Sequence, residues 1–87
     1  MHLQYQYETM KIRDIVIVVP VGDGSESTKS ILRLNRTAAA IFDLLKEETS
    51  EEQIVESLMK RFDVSRETLV RDVHLYIEEF RKKNLLI

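Results

Sequence analysis

The chain has 87 residues, 44% of them hydrophobic and 32% charged, with two glycines, one proline and no cysteine, a profile that allows one folded domain and excludes a disordered chain, a disulfide scaffold and thiolate chemistry. A domain this short buries only about 60–65% of the surface its unfolded form exposes, so its core is thin. Thirteen Lys and Arg stand against 15 Asp and Glu, and no segment has the basic excess that phosphate neutralisation requires.

The first third of the chain reads as strands. Leu3, Tyr5 and Tyr7 alternate with Gln4, Gln6 and Glu8, the period of a half-buried strand. Met10 and Ile12 continue it after an irregularity near Glu8 and Thr9. Residues 15–19 are all Ile or Val, stiff at χ1 and suited to an extended backbone. This run is the longest apolar stretch and is far short of the roughly 20 residues that span a bilayer. Pro20, which lacks an N–H, is expected to end that strand or to lie at a sheet edge. Residues 21–28 hold both glycines and read as a long loop. A third, short strand follows over residues 29–34. Leu32 and Leu34 face inward there, and Ile31 and Arg33 face the other way.

Three helices follow. Asn35 caps a helix over residues 36–47 whose apolar face is Ala38, Ile41, Phe42 and Leu45, with Leu44 at its flank. Ser50-Glu51-Glu52-Gln53 is a capping-box pattern opening the second helix. Its face is Ile54, Val55, Leu58, Met59 and Phe62. Ser65 caps a third helix running to about residue 82, with the stripe Leu69, Val73, Tyr76, Ile77 and Phe80. Arg81, Lys82 and Lys83 suit its C-terminal dipole. Leu85, Leu86 and Ile87 are expected to fold back on the core. The order β-β-β-α-α-α predicts an α+β fold, winged-helix-like: a three-stranded antiparallel sheet followed by a three-helix bundle, one domain over residues 1–87.

Catalytic signals are missing. There is no glycine-rich phosphate loop, no Cys, and no His pair at metal-ligand spacing. His2 lies at a terminus, where side chains fray. His74 falls at the flank of the third-helix stripe and reads as a partly exposed helix histidine or a polar contact in a groove. Glu47, Glu48, Glu51 and Glu52 are explained by helix capping and solvation, without a metal. Neither an enzymatic activity nor a cofactor is expected. Two features call for more than solvation. Leu75 sits well off the apolar stripe. The short third strand sits where a sheet of three must have an edge, whose unpaired N–H and C=O groups are a template for another extended peptide.

Three blocks resemble one family. The run Leu32-Arg33-Leu34-Asn35-Arg36-Thr37-Ala38-Ala39-Ala40-Ile41-Phe42-Asp43-Leu44-Leu45 resembles the opening of the PqqD family, small proteins named from pyrroloquinoline quinone biosynthesis. Glu52-Gln53-Ile54, Leu58 and Arg61-Phe62-Asp63-Val64 fit the second block. Val70-Arg71-Asp72-Val73, Tyr76-Ile77 and Asn84-Leu85-Leu86-Ile87 fit the third. The likeness spans about residues 30–87. One departure is structural: Lys46-Glu47 stands where the family has Asp-Gly, so no glycine is available to end the first helix in a left-handed residue.

The resemblance implies a non-catalytic peptide-binding module, a recognition element for ribosomally made peptides. Its ligand would be the leader of a precursor peptide, added as a strand to residues 30–34 and lying along the third helix. The leader would be handed to a modifying enzyme, a radical S-adenosylmethionine protein in many members. Carried onto this chain, the peptide-binding residues are Ile31, Leu32, Arg33, Val70, Arg71, His74 and Leu75. Backbone groups of residues 30–34 would supply hydrogen bonds. Arg33 and Arg71 would meet acids of the leader, and Val70 or Leu75 an apolar side chain. These two lie on opposite flanks of the helix, and only one flank borders the strand. The expected location is the cytosol, with no nucleic-acid or membrane partner. The alternatives are a structural domain that forms a homodimer through its strand edge and a winged-helix DNA binder, which five bases against four acids over residues 65–83 disfavour.

Overall fold

In the computed structural model, which describes residues 1–21 and 31–87, the β-branched run forms the middle of a three-stranded sheet. Strand β1 is Gln6–Ile12, β2 is Ile15–Val21 and β3 is Leu32–Leu34. They lie antiparallel in the order β1-β2-β3. Arg13 and Asp14 make the turn between β1 and β2, and Arg13 takes a left-handed φ of 56° there. Three helices follow: α1, Arg36–Leu44, α2, Glu51–Met59, and α3, Arg66–Lys82. The fold is the α+β arrangement expected, and no helix of the described residues is long and apolar enough to cross a membrane.

Each helix starts where its cap residue predicts. Asn35, Ser50 and Ser65 accept from the backbone N–H groups of Ala38, Gln53 and Thr68, each satisfying one of the orphan donors of a first turn. Helix α1 ends three residues earlier than expected, at Leu44. With no glycine to take a left-handed turn, its end tightens instead. The N–H of Leu45 is shared between the carbonyls of Ile41 and Phe42 at 3.2 and 3.1 Å. Helix α3 closes differently. Asn84 adopts φ 60°, and the N–H groups of Asn84 and Leu85 bond to the carbonyls of Arg81 and Phe80, both at 3.0 Å, a Schellman closure with asparagine in the glycine position.

That closure turns the C-terminus back as expected, and it also determines where β1 begins. Leu85 is buried, and Leu86 bridges Leu3. His2 and Ile87 exchange backbone hydrogen bonds at 3.2 and 2.9 Å, and the Leu3 N–H reaches the Leu45 carbonyl at 2.8 Å. These contacts hold the first residues away from the sheet, so the break in the first strand falls at Gln4 and Tyr5 rather than near Glu8 and Thr9. Strand β2 continues through Pro20 to Val21. The proline is tolerated because β3 pairs only with residues 16–18 of β2, leaving that side of β2 unpaired at Pro20 among the described residues. Of the loop expected over residues 21–28, Val21 belongs to β2. The remainder, and residues 29 and 30 of the expected third strand, lie outside the described residues.

The core lies between the inner sheet face and the helices. Val18, Ile41, Leu45, Ile54, Leu58, Val73 and Ile77 are fully buried, each contributing about 1.5–3 kcal/mol of apolar burial. Tyr7, Phe42 and Phe80 stack edge to face in a row, with centroids 5.2 and 5.8 Å apart. Met59, placed on the apolar face by periodicity, is left exposed at the end of α2, beside the Arg66 guanidinium.

Candidate functional site

Among the described residues β3 pairs with β2 alone, so its other edge is open. That edge faces α3 across a groove of about 370 Å³. Leu32, Leu34, Ala38 and Phe80 form a buried apolar floor, while Ile31, Arg33, Tyr76, Glu79 and Lys83 form the sides. The period-two alternation of β3 produces this division. Leu32 and Leu34 point into the core, and Arg33 and the preceding Ile31 stay exposed. On α3 the wall comes from the row beside the core stripe, because residues four apart stack on one ridge. Glu79 and Lys83 belong to that ridge, and Leu75 and Arg71 continue it toward the N-terminus of the helix.

Asn35 holds the two walls in register. Its Oδ1 accepts from the Ala38 N–H at 2.8 Å, capping α1, and its Nδ2 donates to the Tyr76 hydroxyl at 3.0 Å. The residue that ends β3 is thus bonded to the helix that forms the opposite side. Tyr76 is half-buried with its ring against Phe80, centroids 6.4 Å apart.

The structure brings only part of the expected set together. Ile31, Leu32 and Arg33 line the groove. Leu32 is a buried core side chain, so only its backbone has access to a ligand. Leu75 is 60% exposed on the groove side of α3, four residues before Glu79. Arg71 is exposed beside Asp72, with 3.7 Å between guanidinium and carboxylate. Val70 and His74 are on the other flank. Val70 lines a small hollow with Glu51, Glu52, Val55 and Arg66, and His74 Nδ1 lies 3.0 Å from the Glu51 carboxylate of α2. Tyr76, Glu79 and Lys83 are groove residues that the sequence reading placed elsewhere or passed over. Their spacing of three and four on the strand side of the stripe is the signal that finds them.

The groove is suited to holding an extended backbone. One side offers a strand edge carrying Arg33 and the other a mixed wall of one acid, one base and a tyrosine hydroxyl, above an apolar floor. A second cleft of about 300 Å³ lies under the β1–β2 hairpin, lined by Lys11, Arg36, Lys46 and Arg61 among others. It lies between the inner face of the sheet and α1 and is closed by side chains of both.

Comparison with solved structures finds the same fold in a structure described as TbiB1 in complex with the TbiA(beta) leader peptide. The match has a TM-score of 0.76 and 24% sequence identity, and covers 99% of this chain and 94% of that one. None of the curated proteins compared gives a significant match. The family model described as coenzyme PQQ synthesis protein D, PqqD, matches residues 16–86, taking in β2, β3 and all three helices, and the chain belongs to that family.

Proposed function

We propose that this chain is a peptide-binding module that recognises the leader of a ribosomally made precursor peptide, adding it as a fourth strand on β3. The observation that carries this reading is the open β3 edge facing α3 across a groove with an apolar floor and a charged rim. Main-chain hydrogen bonds along the edge supply affinity, and side-chain contacts in the groove supply selectivity. Family membership and the fold shared with a leader-peptide complex support it. Of the peptide-contacting residues expected from the sequence, Ile31, Arg33 and Leu75, with the backbone of Leu32, are favoured by position, joined by Tyr76, Glu79 and Lys83. Arg71 extends the same ridge. Val70 and His74 are assigned to the contact between α2 and α3.

The module has no catalytic step of its own. It acts in the cytosol and raises the effective concentration of the precursor beside a modifying enzyme of the radical S-adenosylmethionine class. The test is calorimetric titration of the chain with the leader of the precursor encoded beside its gene, together with amide shifts on the labelled protein. Micromolar or tighter binding, with shifts concentrated on residues 31–35 and on the Tyr76–Lys83 wall, is the expected result. No heat at about 100 µM leader, or shifts confined to the α2 side of α3, overturns it.

A further inference from the structure

The sheet face turned away from the helices has the wrong polarity for a solvated surface. Strand register aligns Glu8 with Val19, Met10 with Ile17 and Arg33, and Ile12 with Ile15, so all of these lie on the outer face. Their inward-facing neighbours on β1 include Thr9 and Lys11, both exposed. The distal half of β1 is therefore polar toward the helices and apolar toward solvent, the reverse of the ordinary alternation, while β2 is apolar on both faces, with Val16 and Val18 turned to the core. Met10 is 62% and Ile12 51% exposed, and Ile15 and Val19 are exposed beside them. Contiguous apolar surface of this kind marks an interaction site.

The charges of this face favour a second copy as its occupant. Among the described strand residues it carries two, Glu8 on β1 and Arg33 on β3, at opposite margins of the apolar centre. Sheets in a sandwich stack about 10 Å apart with strands nearly aligned. A two-fold axis parallel to the strands and passing over β2 lays β3 of each copy on β1 of the other. Arg33 of one copy then stands over Met10 of the other, two residues or about 7 Å from Glu8, within reach of its guanidinium. The pairing occurs twice, because the contact is isologous.

We infer that the chain forms a symmetric dimer through the outer face of its sheet, with Met10, Ile17 and Val19 at the apolar centre and Glu8 and Arg33 pairing reciprocally between copies. Three strands of seven residues or fewer make a face of about 14 by 24 Å. That is smaller than the ~800 Å² per partner of a standard interface, so the association is weak and concentration-dependent. Unlike pairing through a strand edge, it leaves the backbone edge of β3 open in both copies while engaging the Arg33 side chain. The inference does not rest on leader binding.

Sedimentation of the full chain without peptide, from about 1 µM to 1 mM, tests it. A monomer–dimer equilibrium that shifts measurably toward dimer within this range is expected, because a face this small places the contact in the weak, transient class. Met10→Lys, Glu8→Arg and Arg33→Glu each weaken it at least about tenfold, by placing a like or unpaired charge in the contact. The double variant Glu8→Arg with Arg33→Glu recovers most of the association. Val70→Lys, on the α2 side of α3, leaves it unchanged, and circular dichroism verifies that each variant is folded. A chain that stays monomeric at 1 mM leaves the face to a different protein and overturns the inference, as does a dimer indifferent to Met10→Lys. A double variant that fails to recover overturns the two-fold arrangement.

Discussion

The Asn35 side chain joins the end of β3 to α3. Its amide nitrogen donates to the Tyr76 hydroxyl at 3.0 Å while its oxygen caps α1 through the Ala38 N–H at 2.8 Å. One residue thus ends a strand, starts a helix and sets the width of the groove. Losing both bonds leaves a helix donor unsatisfied and Tyr76 unanchored. Asn35→Ala is expected to lower stability by about 1–2 kcal/mol, the sum of a lost cap and a modest hydrogen bond. Urea unfolding should give a lower midpoint with an unchanged slope. Asn35→Asp keeps the cap and an acceptor for the tyrosine hydroxyl, and should recover most of the loss.

The two flanks of α3 should separate in binding. Tyr76→Ala removes the one aromatic side chain on the groove side wall, and Lys83→Glu reverses a rim charge. If the leader lies in the groove, Tyr76→Ala should weaken leader affinity by about tenfold or more, a loss of about 1.4 kcal/mol. Val70→Ala and His74→Ala, on the α2 side, should change it less than about twofold. Calorimetry on the four variants measures the split. Equal losses on both flanks would remove the assignment of the groove.

Acid should loosen the N-terminal segment first. The Glu48 carboxylate accepts from the amino group of Met1 and lies 2.7 Å from His2 Nδ1. These hydrogen bonds hold its pKa below the ordinary 4.5. Because the folded value is depressed, the contact's stabilisation is fully present above about pH 4.5 and is lost as pH falls through the folded value. Glu48→Gln should therefore be less stable than the parent chain at neutral pH and should converge with it in strong acid. Thermal unfolding at pH 7, 4 and 2.5 tests the sign, and a gap that widens in acid would contradict it.

Tyr7 carries a hydroxyl without need of it. Its ring packs against Phe42, and its buried oxygen has no hydrogen-bond partner among the described residues. Burial, and then the neighbouring Tyr5, raise its pKa above the ordinary 10.0. Tyr7→Phe keeps the ring and removes the unsatisfied group, so stability should hold or rise by up to about 1 kcal/mol. A drop of similar size in the unfolding midpoint would mean that the hydroxyl has a partner.

Local chemistry determined much of the fold directly from sequence. Asn35, Ser50 and Ser65 marked the three helix starts because a side-chain oxygen satisfies a first-turn donor within the same few residues. The alternation of Leu32 and Leu34 with Arg33 gave the facing of β3 by the pleat alone. What depended on distant partners was not legible. The break at Gln4 and Tyr5 follows from Leu3 pairing with Leu86, a contact across almost the whole chain. Met59 matches the apolar period of α2, yet no element of the described residues covers it. Leu75 and Val70 are equally apolar on the same helix, and periodicity cannot say which flank meets β3. Packing α2 against the Val70 and His74 side decided that, leaving the Tyr76 and Glu79 side to the strand. Sequence alone determined the order of the elements, the N-caps of the helices and the facing of β3, because those interactions close within a turn or a pleat. Tertiary structure decided the groove and the apolar outer face, because both depend on which surfaces the other elements leave uncovered.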